Sequence, residues 1–178
     1  MSGPHPRPSL VLGVHPTSRG FGWAAFANPF SLRDHGLYTV RSDKNAGCLR
    51  KFEGLIKRIK PEMVVLEAFD PQSSVRSERI RKLCLAMVSL AADRGFEVVV
   101  YKRGEVQACF APVAATSREE VAAAVARHVP VLAPRLPAKR KLWIGEDKRL
   151  SIFCAAALVL THYQNGAAAL LDDLRTAA

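Results

Sequence analysis

The sequence predicts an α/β domain: a five-stranded mixed sheet, three antiparallel strands and then two parallel ones, flanked by helices. Three observations predict it. The first forty residues hold three strand-like runs joined by short turns. From about residue 46 the apolar spacing changes from a strand period to threes and fours. Beyond that point helical and strand-like segments alternate, as in a parallel sheet covered by helices.

The elements follow in order. Ser9 to His15 is a compact apolar run, as a buried strand should be. Thr17 to Gly20 turns the chain, and Phe21 to Ala27 returns as a second strand. A second short turn, Asn28-Pro-Phe-Ser31, leads into a third strand at Leu32 to Val40. Leu49, Phe52, Ile56 and Ile59 then mark an amphipathic helix over Ala46 to Lys60, stopped by Pro61. Met63 to Leu66 is a fourth strand ending at Glu67. Ser77 caps a second helix, apolar at Ile80, Leu83, Leu85, Met87, Val88 and Leu90 and closed by Gly95. Phe96 to Tyr101 is the fifth strand. Ser117 and Glu120 form a capping box that opens a helix through about His128. A Pro-rich basic connection, Pro130 to Lys141, precedes a long helix from Glu146 to about Tyr163. The expected organisation is a disordered leader over residues 1–8, one domain over 9–165, and a helical tail over 166–178.

Lys and Arg outnumber Asp and Glu by 26 to 16, for a formal charge of +10. Such an excess suits a polyanionic partner. No run approaches the roughly 18 apolar residues of a membrane span, so no membrane partner is expected. The start carries three prolines and no apolar core of a secretion signal. Cys48, Cys84, Cys109 and Cys154 show no paired CxxC spacing, and reduced thiols in the cytoplasm are expected rather than a disulfide framework or a zinc finger.

Two strand ends carry the candidate chemistry. The first strand delivers His15 at its tip and continues Pro16-Thr-Ser18-Arg19-Gly-Phe-Gly22. The fourth delivers Glu67, followed by Ala68 and Phe69. A polar group directly after an apolar run stands at the carboxyl edge of a sheet, where α/β proteins place their sites. On the last helix, Asp147 is four residues before Ser151 and seven before Cys154, so the three are expected on one helical face.

These residues resemble the Holliday-junction resolvases of the RuvC type, within the ribonuclease H-like fold. The first hairpin, with Pro16, Ser18, Arg19 and Gly22 in place, matches that pattern, and the likeness extends from about Ser9 to Tyr163. In such enzymes the first strand ends in an aspartate, where this chain has His15. Glu67 matches the second metal-binding carboxylate, and Phe69 matches an aromatic that contacts DNA bases. Aligning the Ala-rich parts of the last helix puts Ser151 and Cys154 at the places of two further aspartates. Gln107 falls near a functional lysine.

The resemblance implies a site built from His15, Glu67, Asp147 and Cys154, with His15, Glu67 and Asp147 toward a divalent metal, Mg²⁺ or Mn²⁺. It also implies branched or structured DNA as the partner. Phe69, Arg76, Arg79, Lys102, Arg103, Lys139, Arg140, Lys141 and Lys148 are expected around the cleft as nucleic-acid contacts. Mg²⁺ prefers hard oxygen ligands, and imidazole is softer and neutral. Three readings therefore stand side by side: a silent relative that binds nucleic acid, an endonuclease using Mn²⁺ or Zn²⁺, and a protein-interaction domain with no nucleic-acid partner. A homodimer through Leu83, Met87 and Leu90 of the second helix is expected by the same resemblance. Trp143, amid Lys139, Arg140 and Lys141, is expected to pin its loop to the core, with base stacking as the alternative.

Overall fold

The computed structural model describes residues 8–72, 74–139, 141 and 143–177. The expected leader, apart from Pro8, and Arg140 lie outside them. The order is β1 (Val11–Thr17), β2 (Gly20–Asn28), β3 (Ser31–Thr39), α1 (Lys44–Ile59), β4 (Met63–Glu67), α2 (Glu78–Asp93), β5 (Glu97–Tyr101), α3 (Arg103–Phe110), α4 (Arg118–His128) and α5 (Leu150–Thr176). The strands form one sheet in the order β3-β2-β1-β4-β5. The first three are antiparallel neighbours, and β4 and β5 run parallel to β1. This is the expected architecture.

Alternation along the central strands divides the core in two. Leu12 and Val14 of β1, with Val64 and Leu66 of β4, pack with Phe52, Ile56, Leu83 and Met87 from α1 and α2. Val11 and Val65 face the other way, into a cluster with Val125, Phe153, Ala156 and Val159 from α4 and α5. A strand places successive side chains on opposite faces, so His15 and Glu67 fall on this second face with Val11 and Val65.

Glycines let α5 lie unusually close to the sheet. A Cβ on Gly13 would stand 2.1 Å from the Ala155 carbonyl oxygen, and one on Gly22 would stand 2.4 Å from the Ser151 Oγ. Gly22 is paired across the hairpin with His15. The start of α5 is thereby held against the tip of β1.

Two expectations about helices are corrected. Helix α5 begins at Leu150 rather than Glu146, because Asp147 binds the segment into a turn: its Oδ1 accepts from the Arg149 backbone N–H at 2.8 Å. Asp147 therefore does not share a helical face with Ser151 and Cys154. At its far end α5 continues without interruption through residue 166 to Thr176. The dimer face on α2 is also corrected. Leu83 and Met87 are fully buried against the sheet and Leu90 packs beside them, so hydrophobic burial within the chain already uses that face.

Candidate functional site

The parallel register pairs Gly13 with Val65. Carried two residues further, the same offset sets His15 beside Glu67 on adjacent strands, about 4.8 Å apart in the sheet. Their side chains meet: His15 Nδ1 is 3.7 Å from Glu67 Oε2.

Between them lies a third group. Arg76, from the segment before α2, extends its guanidinium into the site. Its Nη2 donates to Glu67 Oε2 at 2.8 Å and stands 3.0 Å from His15 Nδ1. Its Nη1 donates to the Pro16 carbonyl at 2.8 Å. Arg81 Nη1 holds the Arg76 carbonyl oxygen at 2.6 Å, fixing the segment from behind. The Arg76 side chain is only 9% exposed and that of Glu67 15%. Arginine keeps its charge in such surroundings, and its planar fork suits several acceptors at once. The same Nη2 also stands 3.3 Å from His15 Nε2, so the guanidinium lies against both ring nitrogens. Such a neighbour disfavours a second positive charge on the ring. Burial, and then the charges of Arg76, Arg118 and Arg103, hold its pKa well below the usual 6.5.

A small cavity opens beside this group. His15, Glu67, Arg103, Gln107, Thr116, Arg118, Cys154 and Leu158 are among its lining residues. Cys154 thus shares the cavity wall with His15 and Glu67. Burial pushes its thiol up to about 12, so it stays protonated. Ser151 is buried nearby, its Oγ donating to the Lys148 carbonyl at 2.6 Å.

Asp147 is not brought there. It lines a separate and larger groove with Glu119, Leu136, Lys139 and Glu146, and Arg149 Nη2 binds its carboxylate at 2.7 Å. The expected trio of His15, Glu67 and Asp147 does not converge. Among the described residues no three His, Cys, Asp or Glu side chains form a group able to hold a metal ion.

The donor set does not fit the divalent cation that the resemblance implies. It offers one carboxylate, a neutral imidazole, a protonated thiol and a hydroxyl already bonded to backbone. A Mg²⁺ ion on Glu67 would need to sit about 2.1 Å from its oxygen. The Arg76 guanidinium is there, 2.8 Å away. The cation that meets Glu67 Oε2 here is the Arg76 guanidinium.

The expected basic rim is placed unevenly. Arg103 lines the cavity, while Lys102 is exposed just before it at the start of α3. Arg76 is turned inward, so it is no rim contact. Arg79 is spent on structure: its Nη1 donates to Asn45 Oδ1 at 3.0 Å and its Nη2 to the Ser18 carbonyl at 3.3 Å. Lys139, Lys141 and Lys148 are exposed along the segment before α5. Phe69 is half-buried just past β4, where Ala68 N–H still donates to the Tyr101 carbonyl at 2.8 Å. Trp143 corrects its expectation, since the indole is 81% exposed and pins nothing to the core.

Sequence reasoning missed Arg118. It follows the cap residue Ser117, whose Oγ accepts from Glu120 N–H as expected. Nothing in a capping motif says where the intervening side chain points. Here Arg118 enters the cavity and donates to Glu146 Oε2 at 3.3 Å.

No protein-family model matches the chain, and no curated protein does. Solved structures do. Thermus thermophilus RuvC aligns with a TM-score of 0.61 on its own and 0.60 in complex with a Holliday junction substrate; each is 19% identical over 86% of this chain and 92% of that one. The yeast mitochondrial Holliday junction resolvase Ydc2 aligns with a TM-score of 0.51, at 15% identity, over 89% of this chain and 82% of that one. The chain is RuvC-like in fold, a ribonuclease H-like domain.

Proposed function

We propose that this RuvC-like chain binds branched or structured DNA and does not cut it with Mg²⁺. The observation that carries the reading is Arg76, whose guanidinium lies between His15 and Glu67 at the carboxyl edge of β1 and β4. A cleft of this kind attracts phosphate. Arg76, Arg103 and Arg118 outweigh the carboxylates of Glu67 and Glu146, and the net charge of +10 acts in the same direction.

The same arrangement lacks what phosphodiester cleavage requires. Two-metal hydrolysis needs cations that activate water and stabilise the leaving oxygen. A guanidinium stabilises negative charge but activates no water, and both ring nitrogens of His15 lie within 3.3 Å of Arg76 Nη2. A DNA phosphate drawn to Arg103 and Arg118 would be held without being broken.

The test is a binding isotherm on a four-way DNA junction and on a duplex of equal length, at two salt concentrations, with cleavage followed in Mg²⁺ and in Mn²⁺. The expected result is junction binding that weakens steeply with salt, and no cleavage in either metal. Cleavage by the wild-type chain in Mg²⁺ or Mn²⁺ would overturn the silent site. Affinity absent at both salt concentrations would favour a protein-interaction domain instead.

A further inference from the structure

The segment between α4 and α5 presents an indole to water. Trp143 is 81% exposed and Ile144 is 51% exposed. Large aromatic side chains are ordinarily withdrawn from solvent, with the indole N–H bonded. Beside Trp143, Ile144 N–H donates to the Lys141 carbonyl at 3.0 Å. Lys141 Nζ stands 5.7 Å from the Trp143 ring centroid, and Lys139 and Lys148 lie exposed to either side.

This turn is tied to the cleft. Glu146, three residues beyond Trp143, accepts from Arg118, and Arg118 lines the cavity of His15 and Glu67. Between the cleft and the turn lies the groove of Glu119, Glu146 and Asp147, so the cations beside the indole are the segment's own Lys139, Lys141 and Lys148, with one large π-face among them. Phosphates are attracted by the ammonium groups, and an indole face offers any unstacked base a stacking surface. A paired, stacked duplex offers no such base.

We propose that Trp143 is a base-stacking residue, which grips an unpaired or unstacked base of DNA whose phosphates lie against Lys139, Lys141 and Lys148. The proposal rests on the DNA-binding reading above and adds to it the feature that separates branched or single-stranded DNA from duplex. A basic turn with a tryptophan would also suit an anionic lipid surface. The link through Glu146 to Arg118 of the arginine-lined cleft favours nucleic acid.

The chain has two tryptophans, and the other, Trp23, is buried at 4% exposure. Emission from the full chain is thus a direct reporter. In free protein, iodide should quench the Trp143 contribution, measured as the difference between wild type and Trp143→Phe. A four-way junction or a single-stranded oligonucleotide should then quench the same contribution. Trp143→Ala should bind the junction about tenfold more weakly, Trp143→Phe should retain most of the affinity, and duplex affinity should not change in either. Circular dichroism of both variants should match wild type.

Four outcomes would overturn the proposal. One is junction binding by Trp143→Ala equal to wild type, with no DNA-dependent quench, which would leave the DNA-binding reading standing. Another is free-protein emission already shielded from iodide, meaning that the indole is folded against its own chain. A third is an emission change with anionic phospholipid vesicles and none with DNA. Absence of any DNA binding by wild type would remove both readings together.

Discussion

Arg76 Nη2 stands 2.8 Å from Glu67 Oε2 and 3.0 Å from His15 Nδ1, so a buried guanidinium joins the tips of two parallel strands. The site is therefore held together by a charge that belongs to the chain. Its strength and its pH response follow from the groups involved.

Removing Arg76 leaves Glu67 charged and largely enclosed. Breaking a buried ion pair from one side costs about 3 kcal/mol, most of it the desolvation of the remaining charge. Arg76→Met should accordingly lower stability in urea unfolding by about that amount. The Arg76→Met, Glu67→Gln pair should recover a substantial part of the loss. An additive double mutant would show that the two groups are not coupled.

His15 sets a pH dependence. Its pKa is lowered in the folded chain by burial and by neighbouring arginines, while the unfolded chain keeps the ordinary 6.5. Below that value the unfolded state binds a proton that the folded state refuses, so stability falls as pH drops. His35 and His162 are lowered as well and contribute in the same direction. Melting temperature should decline from pH 7 to pH 5. The decline should be shallower in His15→Asn than in wild type.

Divalent metal should bring no stability to the wild-type chain. Thermal melts with and without millimolar Mg²⁺ or Mn²⁺ should coincide, because a ligand raises the melting point only by binding the folded state. A variant combining Arg76→Ala, His15→Asp and Cys154→Asp replaces the guanidinium with carboxylates. That variant should melt higher with Mn²⁺ than without it.

The approach of α5 to the sheet can be tested at its glycines. Gly22→Ala drives a methyl into Ser151 and should cost about 3 kcal/mol, since overpacking a closed contact shifts backbone. Gly54 offers the control. It lies exposed within α1 with nothing within 4 Å of an added Cβ, and Gly54→Ala should stabilise by about 0.5–1 kcal/mol. Urea unfolding of the two variants measures both signs.

Much of the fold was legible because it rests on local periodicity. The run before His15, the stop at Glu67 and the caps at Ser77 and Ser117 each announce themselves within a few residues. Cys154 was legible too, through the Ala-rich pattern of α5. Asp147 was misplaced because an aspartate before a helix can continue the helix or bind the turn that starts it. Here its bonds to Arg149 decide for the turn. Leu83 and Met87 show the same limit, since apolar residues on a helix look alike whether they face the sheet or a second chain.

By itself, then, the sequence determined the order of elements and the meeting of His15 with Glu67, because strand alternation and strand ends are local properties. Only the tertiary structure decided that Arg76 turns inward between them, that Arg118 reaches the same cavity, and that Trp143 faces water. These are side chains of segments without a repeating pattern. Their directions depend on partners up to some sixty residues away, such as the Pro16 carbonyl that fixes Arg76. A charge that looked like part of a solvated rim became the centre of the site for that reason.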